Sequence, residues 1–201
     1  MIDNIKEDAL NNGVPIIKDD GLSFLLDLIK KNSYKDILEL GTAVGYSAIQ
    51  MASLDKNIHI DTIEKNEQMY QQAISNIKNC KLDNQINVHF MPIEDYKTDR
   101  KYDLIFVDAA KAQYGKYLEM FIDNLRPEGK MVFDNMIFHG LIYDVDSIES
   151  KNLRNLVKKI VKFRENVHND KRFDIIVRDD IGDGVFVLSR RNKWNLKMLC
   201  C

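Results

Sequence analysis

Ile37-Leu38-Glu39-Leu40-Gly41-Thr42-Ala43-Val44-Gly45-Tyr46-Ser47 is the stretch that decides the fold. Its short apolar run suits a buried parallel strand. The run breaks at Gly41, and a helical pattern takes over from about Gly45 to Leu54. Strand, glycine turn and helix form the corner at which a doubly wound α/β sheet receives a nucleotide-like ligand. The backbone approaches the ligand closely there and the helix N-terminus faces it. A dinucleotide corner is spelled G-x-G-x-x-G, but Ala43 stands where the second glycine belongs. That glycine lets the backbone hug a pyrophosphate, so its absence disfavours a nicotinamide or flavin dehydrogenase. Glu39 would repel a pyrophosphate but could accept hydrogen bonds from an amino-acid ammonium or hold a water. E-x-G-x-x-x-G therefore points to S-adenosyl-L-methionine (SAM), which has a methionine tail and no phosphate. A plain βα turn in a cofactor-free α/β protein is the alternative.

Outward from this corner the chain alternates strands and helices. A polar helix over Ile2–Asn12 stops at Gly13 and Pro15, and Val14-Pro15-Ile16-Ile17 is an extended connector. A helix from Asp19-Asp20-Gly21 has Leu22, Leu25, Leu26 and Ile29 on one face. Strands are expected over Asn57–Glu64, Ile86–Phe90, Tyr102–Asp108, Lys130–Asn135, Phe173–Val177 and Val185–Leu188. The intervening helices are Glu67–Cys80, with Met69, Ala73, Ile74 and Ile77 as its stripe, Tyr114–Leu125 and Ser147–Asn166. The last two strands are joined so tightly by Gly182-Asp183-Gly184 that they read as an antiparallel hairpin. Residues 1–201 read as one domain, with N-terminal helices over 1–34, a core over 35–190 and a tail over 191–201. That tail, with Trp194, Leu196, Met198 and Leu199, could pack on the core or on a second subunit.

Composition narrows the partners. The net charge of −2 provides no global basic field for nucleic acid. Cys80, Cys200 and Cys201 are too few and too badly spaced for a disulfide framework or zinc site, which fits a reducing compartment. The polar N-terminus is no signal peptide, and no apolar run is long enough to cross a membrane. A cytoplasmic protein is the expectation. Locally, Lys151, Arg154, Lys158, Lys159, Lys162 and Arg164 could follow a phosphate backbone, helped by Arg190, Arg191, Lys193 and Lys197. Such a charge run is more often a solvated helix face, and Asp144, Asp146 and Glu149 nearby dilute it.

Ligands of an open parallel sheet bind beyond the carboxyl ends of its strands. Glu39, Glu64, Asp108 and Asp134-Asn135 all fall at that edge. Glu64 lies about 20 residues past the glycine turn, where an acid reaches ribose hydroxyls. It could also simply complement a helix dipole. Neighbouring strands lie about 4.8 Å apart, so Asp108, Asp134 and Asn135 could meet one hard cation such as Mg2+. No His or Cys accompanies them, which argues against zinc. Ordinary turn chemistry also ends strands in Asp and Asn. Lys111, three residues after Asp108, is either a solvated loop lysine or a general base.

Glu39-Leu40-Gly41-Thr42-Ala43-Val44-Gly45-Tyr46-Ser47, Asp108-Ala109-Ala110-Lys111-Ala112-Gln113-Tyr114, Asp134-Asn135 and Gly182-Asp183-Gly184 together resemble the cation-dependent O-methyltransferases, which include catechol and caffeoyl-CoA methyltransferases. With the Val14–Ile17 connector, D-A-A-K-x-Q-Y is most similar to the bacterial branch that methylates 5-hydroxyuridine in the tRNA anticodon. The resemblance runs from about Asn11 to Arg190. It implies a class I SAM-dependent, Rossmann-like fold: a seven-stranded, mostly parallel sheet with an antiparallel C-terminal hairpin. It also implies SAM and Mg2+ as cofactors and a homodimer. Ile17, Ser47 and Glu64, with Glu39, Gly41, the Ile93 backbone and Asp108, would line the SAM site. Asp108, Asp134 and Asn135 would hold the metal, and Lys111 would take the proton. The acceptor would be tRNA, or in a rival reading a small catechol-like phenol; a SAM- or RNA-binding protein without catalysis is a further alternative. The chain departs from the pattern at Met91-Pro92-Ile93, where an acid usually meets adenine, and at His139, where Lys or Arg is common. It also starts late, without the usual first helix, which bears on substrate cover and dimer contacts.

Overall fold

The computed structural model describes residues 2–191. Two helices, α1 (Ile2–Asn11) and α2 (Asp19–Asn32), precede β1 (Asp36–Leu40). Then follow α3 (Tyr46–Ala52), β2 (His59–Glu64), α4 (Glu67–Asn79), β3 (Ile86–Phe90) and β4 (Tyr102–Val107). The chain continues through α5 (Tyr114–Phe121), β5 (Leu125–Phe133), α6 (Lys151–Asn169), β6 (Phe173–Arg178) and β7 (Val185–Arg190). The seven strands form one sheet in the order β3-β2-β1-β4-β5-β7-β6. All pairs are parallel except β5–β7 and β6–β7, which are antiparallel as expected.

Both faces are covered, so the central strands are apolar throughout. Ile37, Ile60, Phe106, Val132 and Val187 meet α1 to α4 on one face. Leu38, Ile63, Ile105, Val107, Phe133 and Leu188 meet α5 and α6 on the other.

Several boundaries differ from expectation for local reasons. The helix expected to reach Leu125 stops at Phe121, passes through a 3-10 turn (Ile122–Asn124), and gives way to β5 at Leu125. Pro127 and Gly129 therefore lie within a strand, where the β4–β5 register shifts between Tyr102 and Leu104. A register irregularity is a place where a strand tolerates proline. The α6 helix begins at Lys151 rather than Ser147, because the Ser150 hydroxyl accepts the Leu153 N–H at 3.4 Å as its cap. Ser147 instead spends its hydroxyl on the Asp144 carbonyl. In α4, Ile74 is 38% exposed; Asn76 is buried in the stripe and donates its amide to the Val44 carbonyl. The strict alternation also lapses between β3 and β4, which are joined by only a 3-10 turn (Ile93–Asp95). Within β2 the buried Asp61 carboxylate is satisfied by Asn87, His89, Arg100 and Tyr102.

The site is positioned by the close approach of two neighbouring strand ends. Gly41 leaves β1 at φ +102°, and a Cβ there would lie 2.3 Å from the Asp108 carbonyl oxygen at the end of β4. Backbone cannot yield by that distance. Gly41→Ala is therefore expected to cost about 3 kcal/mol or more of folding stability. Urea unfolding checks this, and a loss below about 1 kcal/mol would contradict the close approach.

Candidate active site

The carboxyl ends of β1, β2, β4 and β5 open into a cavity of about 650 Å³, within the ordinary range for small-molecule sites. One wall is the glycine turn: Gly41, Thr42, Ala43 and Ser47. Ala43 takes the left-handed conformation, φ +45°, that a glycine would otherwise supply. Its N–H donates to Glu64 Oε2 at 2.9 Å, and the Asn66 N–H donates to Glu64 Oε1 at 2.7 Å. Glu64 thus ties the turn to the start of α4 while lining the cavity. Opposite lie Ile93 and Glu94 after β3, and Asp108 to Lys111 after β4. Leu10 and the connector Val14 to Lys18 close the cavity on the N-terminal side, so this chain supplies cover from α1 and its connector. Phe138 and His139, after β5, complete the rim.

Most of the expected residues meet here. Ile17, Gly41, Ser47, Glu64, Ile93, Asp108, Lys111 and Asn135 all line the one cavity. Glu39 does not, and this corrects its expected exposure to ligand. It is fully buried beneath the turn, with Oε1 accepting from Ser47 Oγ and Oε2 from Thr62 Oγ, each at 2.5 Å. Thr42 Oγ lies 2.7 Å from Thr62 Oγ and extends the chain of hydroxyls. Burial pushes the Glu39 carboxyl up to about 7, against the opposing pull of these two hydrogen bonds. Glu39 therefore orients Ser47 and the turn from behind.

Asp134 is also set back, at 3% exposure, and its Oδ1 has no hydrogen-bond partner among the described residues. Its backbone carbonyl accepts from the buried Tyr114 hydroxyl at 2.8 Å. Burial, and then the neighbouring Asp108 charge, raise its carboxyl above the usual carboxylate range. Lys111 Nζ lies 3.3 Å from Asp108 Oδ1. Among the described residues no three His, Cys, Asp or Glu side chains gather as a metal cluster; the expected set comprises two carboxylates and one amide. A buried carboxylate oxygen without a donor, beside a second carboxylate, is chemistry that a hard cation would satisfy. The donor set thus fits such an ion.

Three participants were not foreseen. Thr62 is the register partner of Glu39 across β1 and β2, so the parallel pairing itself was the available signal. Lys18 lines the cavity, yet as one lysine among many it carried no signal. Asp183, flanked by two glycines, is a 2%-exposed carboxylate that accepts the His139 N–H at 2.7 Å. The expected basic face of α6 is only partly free. Arg164 pairs with Asp179 and the Met136 carbonyl, and Arg154 with the Ile148 carbonyl. Lys151, Lys158, Lys159 and Lys162 are exposed. Arg190 and Arg191 pair with Asp123 and Asp174, and residues 192–201, with Lys193, Lys197 and Trp194, lie outside the described residues.

A family model described as O-methyltransferase matches residues 4–192. The chain belongs to this O-methyltransferase family. Among its relatives, the caffeoyl-CoA O-methyltransferase of Populus kitakamiensis is 28% identical over 190 residues, covering 89% of this chain and 79% of the relative. The catechol O-methyltransferase of Niastella koreensis is 34% identical over 133 residues, 63% of this chain and 60% of the relative. A solved Staphylococcus aureus chain, titled a "putative caffeoyl-CoA O-methyltransferase", superposes with TM-score 0.91 at 35% identity, covering 94% of this chain and 92% of that one. The family's fold is the class I SAM-dependent methyltransferase fold, and this sheet has its form. No helix among the described residues is long and apolar enough to cross a membrane.

Buried Glu39 makes a pH prediction. Its folded carboxyl titrates near 7 and its unfolded one near 4.5. As pH rises between these values the unfolded state releases its proton first, so this group's contribution destabilises the fold progressively. Asp134 adds a slope of the same sign. In ligand-free protein, Glu39→Gln should gain about 2 kcal/mol relative to wild type between pH 5 and pH 7.5. Urea midpoints at the two pH values measure it, and parallel stability profiles would contradict the assignment.

Proposed function

We propose that this protein transfers the methyl group of SAM to a hydroxyl that has a second oxygen on the adjacent atom. A divalent cation such as Mg2+ serves beside the acceptor, which is the 5-hydroxyl of 5-hydroxyuridine in the tRNA anticodon; the product is 5-methoxyuridine. The observation that carries the reading is the partnerless, buried Oδ1 of Asp134 next to Asp108 and Lys111, at the edge of a cavity large enough for SAM. SAM itself is supported by family membership and by two solved methyltransferases of the same fold with S-adenosylhomocysteine bound, from Podospora anserina and Bacillus cereus.

In this reading the turn Gly41–Ala43 and Ser47 receive the methionine tail, Glu64 the ribose hydroxyls, and the Ile93 backbone the adenine. Asp108, Asp134 and Asn135 would hold the cation, whose positive charge would lower the pKa of a hydroxyl placed beside it. Lys111, in reach of Asp108, takes the hydroxyl proton. The oxygen then attacks the methyl carbon, the carbon–sulfur bond breaks, and a methyl ether and S-adenosylhomocysteine result. Walls fixed by close backbone approach hold the reactants in line, and such positioning supplies much of the acceleration.

Support for a polyanionic acceptor comes from Lys18 and Lys65, which line the cavity, and from the four exposed lysines of α6. A catechol-like phenol is the second reading, favoured by the names of the curated relatives. The same proposal takes the protein as a cytoplasmic homodimer. In support, β6 ends the sheet with Ile176 and Val177 exposed.

Methyl transfer from labelled SAM to tRNA carrying 5-hydroxyuridine, and to catechol, separates the acceptors. Transfer to tRNA is expected; transfer to catechol alone would replace the tRNA reading. Asp134→Ala, or a metal chelator, should lower the rate at least about 100-fold. Unchanged transfer would remove the cation from the mechanism.

A further inference from the structure

Asp183 does not itself line the cavity but touches Lys18, Asn135 and His139, which do. Its main-chain carbonyl accepts the Ile137 N–H at 2.8 Å, and the Gly184 carbonyl accepts the Met136 N–H at 2.9 Å. There is no slack at this contact, since a Cβ on Gly184 would lie 2.7 Å from the Ile137 nitrogen. From the N-terminal side, Lys18 Nζ donates to the Gly182 carbonyl at 3.3 Å and lies 3.8 Å from Asp183 Oδ1. Oδ1 also accepts the His139 N–H at 2.7 Å, and Oδ2 faces His139 Nδ1 at 3.4 Å. The remaining contact of Oδ2 is Asn135 Nδ2, at 3.4 Å.

That last contact determines what Asn135 offers the cavity. A carboxylate has only acceptors, whereas a side-chain amide has a donating end and an accepting end. Only the NH2 end of Asn135 can face Asp183; the opposite rotamer would set oxygen against oxygen. The identity of the two ends therefore follows from the partner and not from their shape, which is nearly symmetric. Because the amide is planar, its carbonyl oxygen is turned away from Asp183. Asn135 is itself held at φ +58° and lines the cavity beside Asp108. We infer that Asp183 is a positioning residue, whose carboxylate fixes the Asn135 amide so that its oxygen, and not its NH2, is presented to a divalent cation. The inference rests on the cation-dependent reading above.

Mn2+ affinity, read by electron paramagnetic resonance of the free ion, tests it without recourse to activity. Asp183→Asn should weaken Mn2+ binding by about 10- to 100-fold, as is usual when a group supporting a metal ligand is lost. In an Asn135→Asp background either side-chain orientation offers an oxygen, so adding Asp183→Asn should not weaken binding further. A change within about threefold for Asp183→Asn alone, or an equal loss in both backgrounds, would overturn the inference while leaving the cation reading intact. Mn2+ binding that is the same in wild type and Asp134→Ala would overturn both. Should circular dichroism show Asp183→Asn unfolded, wild-type crystals grown with Mn2+ decide instead. The inference requires Asn135 Oδ1 on the metal and Nδ2 on Asp183, and Asn135 on the metal with Asp183 turned away refutes it.

Discussion

The close passage of β1 against β4 at Gly41 is the constraint on which the site depends. Ladder hydrogen bonds continue past the strand ends there: the Asp108 N–H donates to the Leu40 carbonyl, and the Asp134 N–H to the Val107 carbonyl. Three neighbouring strands therefore finish at nearly the same height. A side chain on Gly41 would push the first of them away and separate the turn from Asp108. Alignment of strand ends is a backbone property, and it converts residues far apart in sequence into one cavity floor.

That alignment has an electrostatic consequence. Glu39 and Asp134 are both buried carboxylates, and burial raises both above the usual range. They are handled differently. Glu39 receives hydroxyls from Ser47 and Thr62, so its burial is matched by hydrogen bonds. Asp134 keeps a bare oxygen next to Asp108, an arrangement that stability alone does not favour. Local electrostatic cost of this kind gathers at functional sites. A hard cation would offset both the burial and the mutual repulsion.

Much of this is legible in the sequence. The apolar run ending at Gly41, the acids at strand ends and the tight final turn carried the sheet, its hairpin and most of the cavity lining. What was not legible lies where tertiary contacts choose between equal local options. Pro127 and Gly129 look like a loop but enter β5 at an irregular register. Ser147 and Ser150 are equally good caps, and the Asp144 carbonyl claims the first. Ile74 fits the α4 stripe by period, but the Val44 carbonyl needs the Asn76 amide there. Glu39 reads as facing ligand because it precedes the turn, whereas strand alternation sends it behind the turn to Thr62. The charges of α6 could not be sorted from sequence, since Asp179 and the carbonyls that engage Arg164 and Arg154 are brought in by the fold.

The central claim is that Asp108, Asp134 and Asn135 act as a single cation site. Isothermal titration of Mg2+ into the SAM-bound protein, with Asp134→Asn in parallel, tests it most directly. One ion per wild-type chain is expected, with the affinity lost at least about 100-fold when the bare oxygen is replaced by an amide. Equal binding by the two proteins, or none by the wild type, would contradict the account.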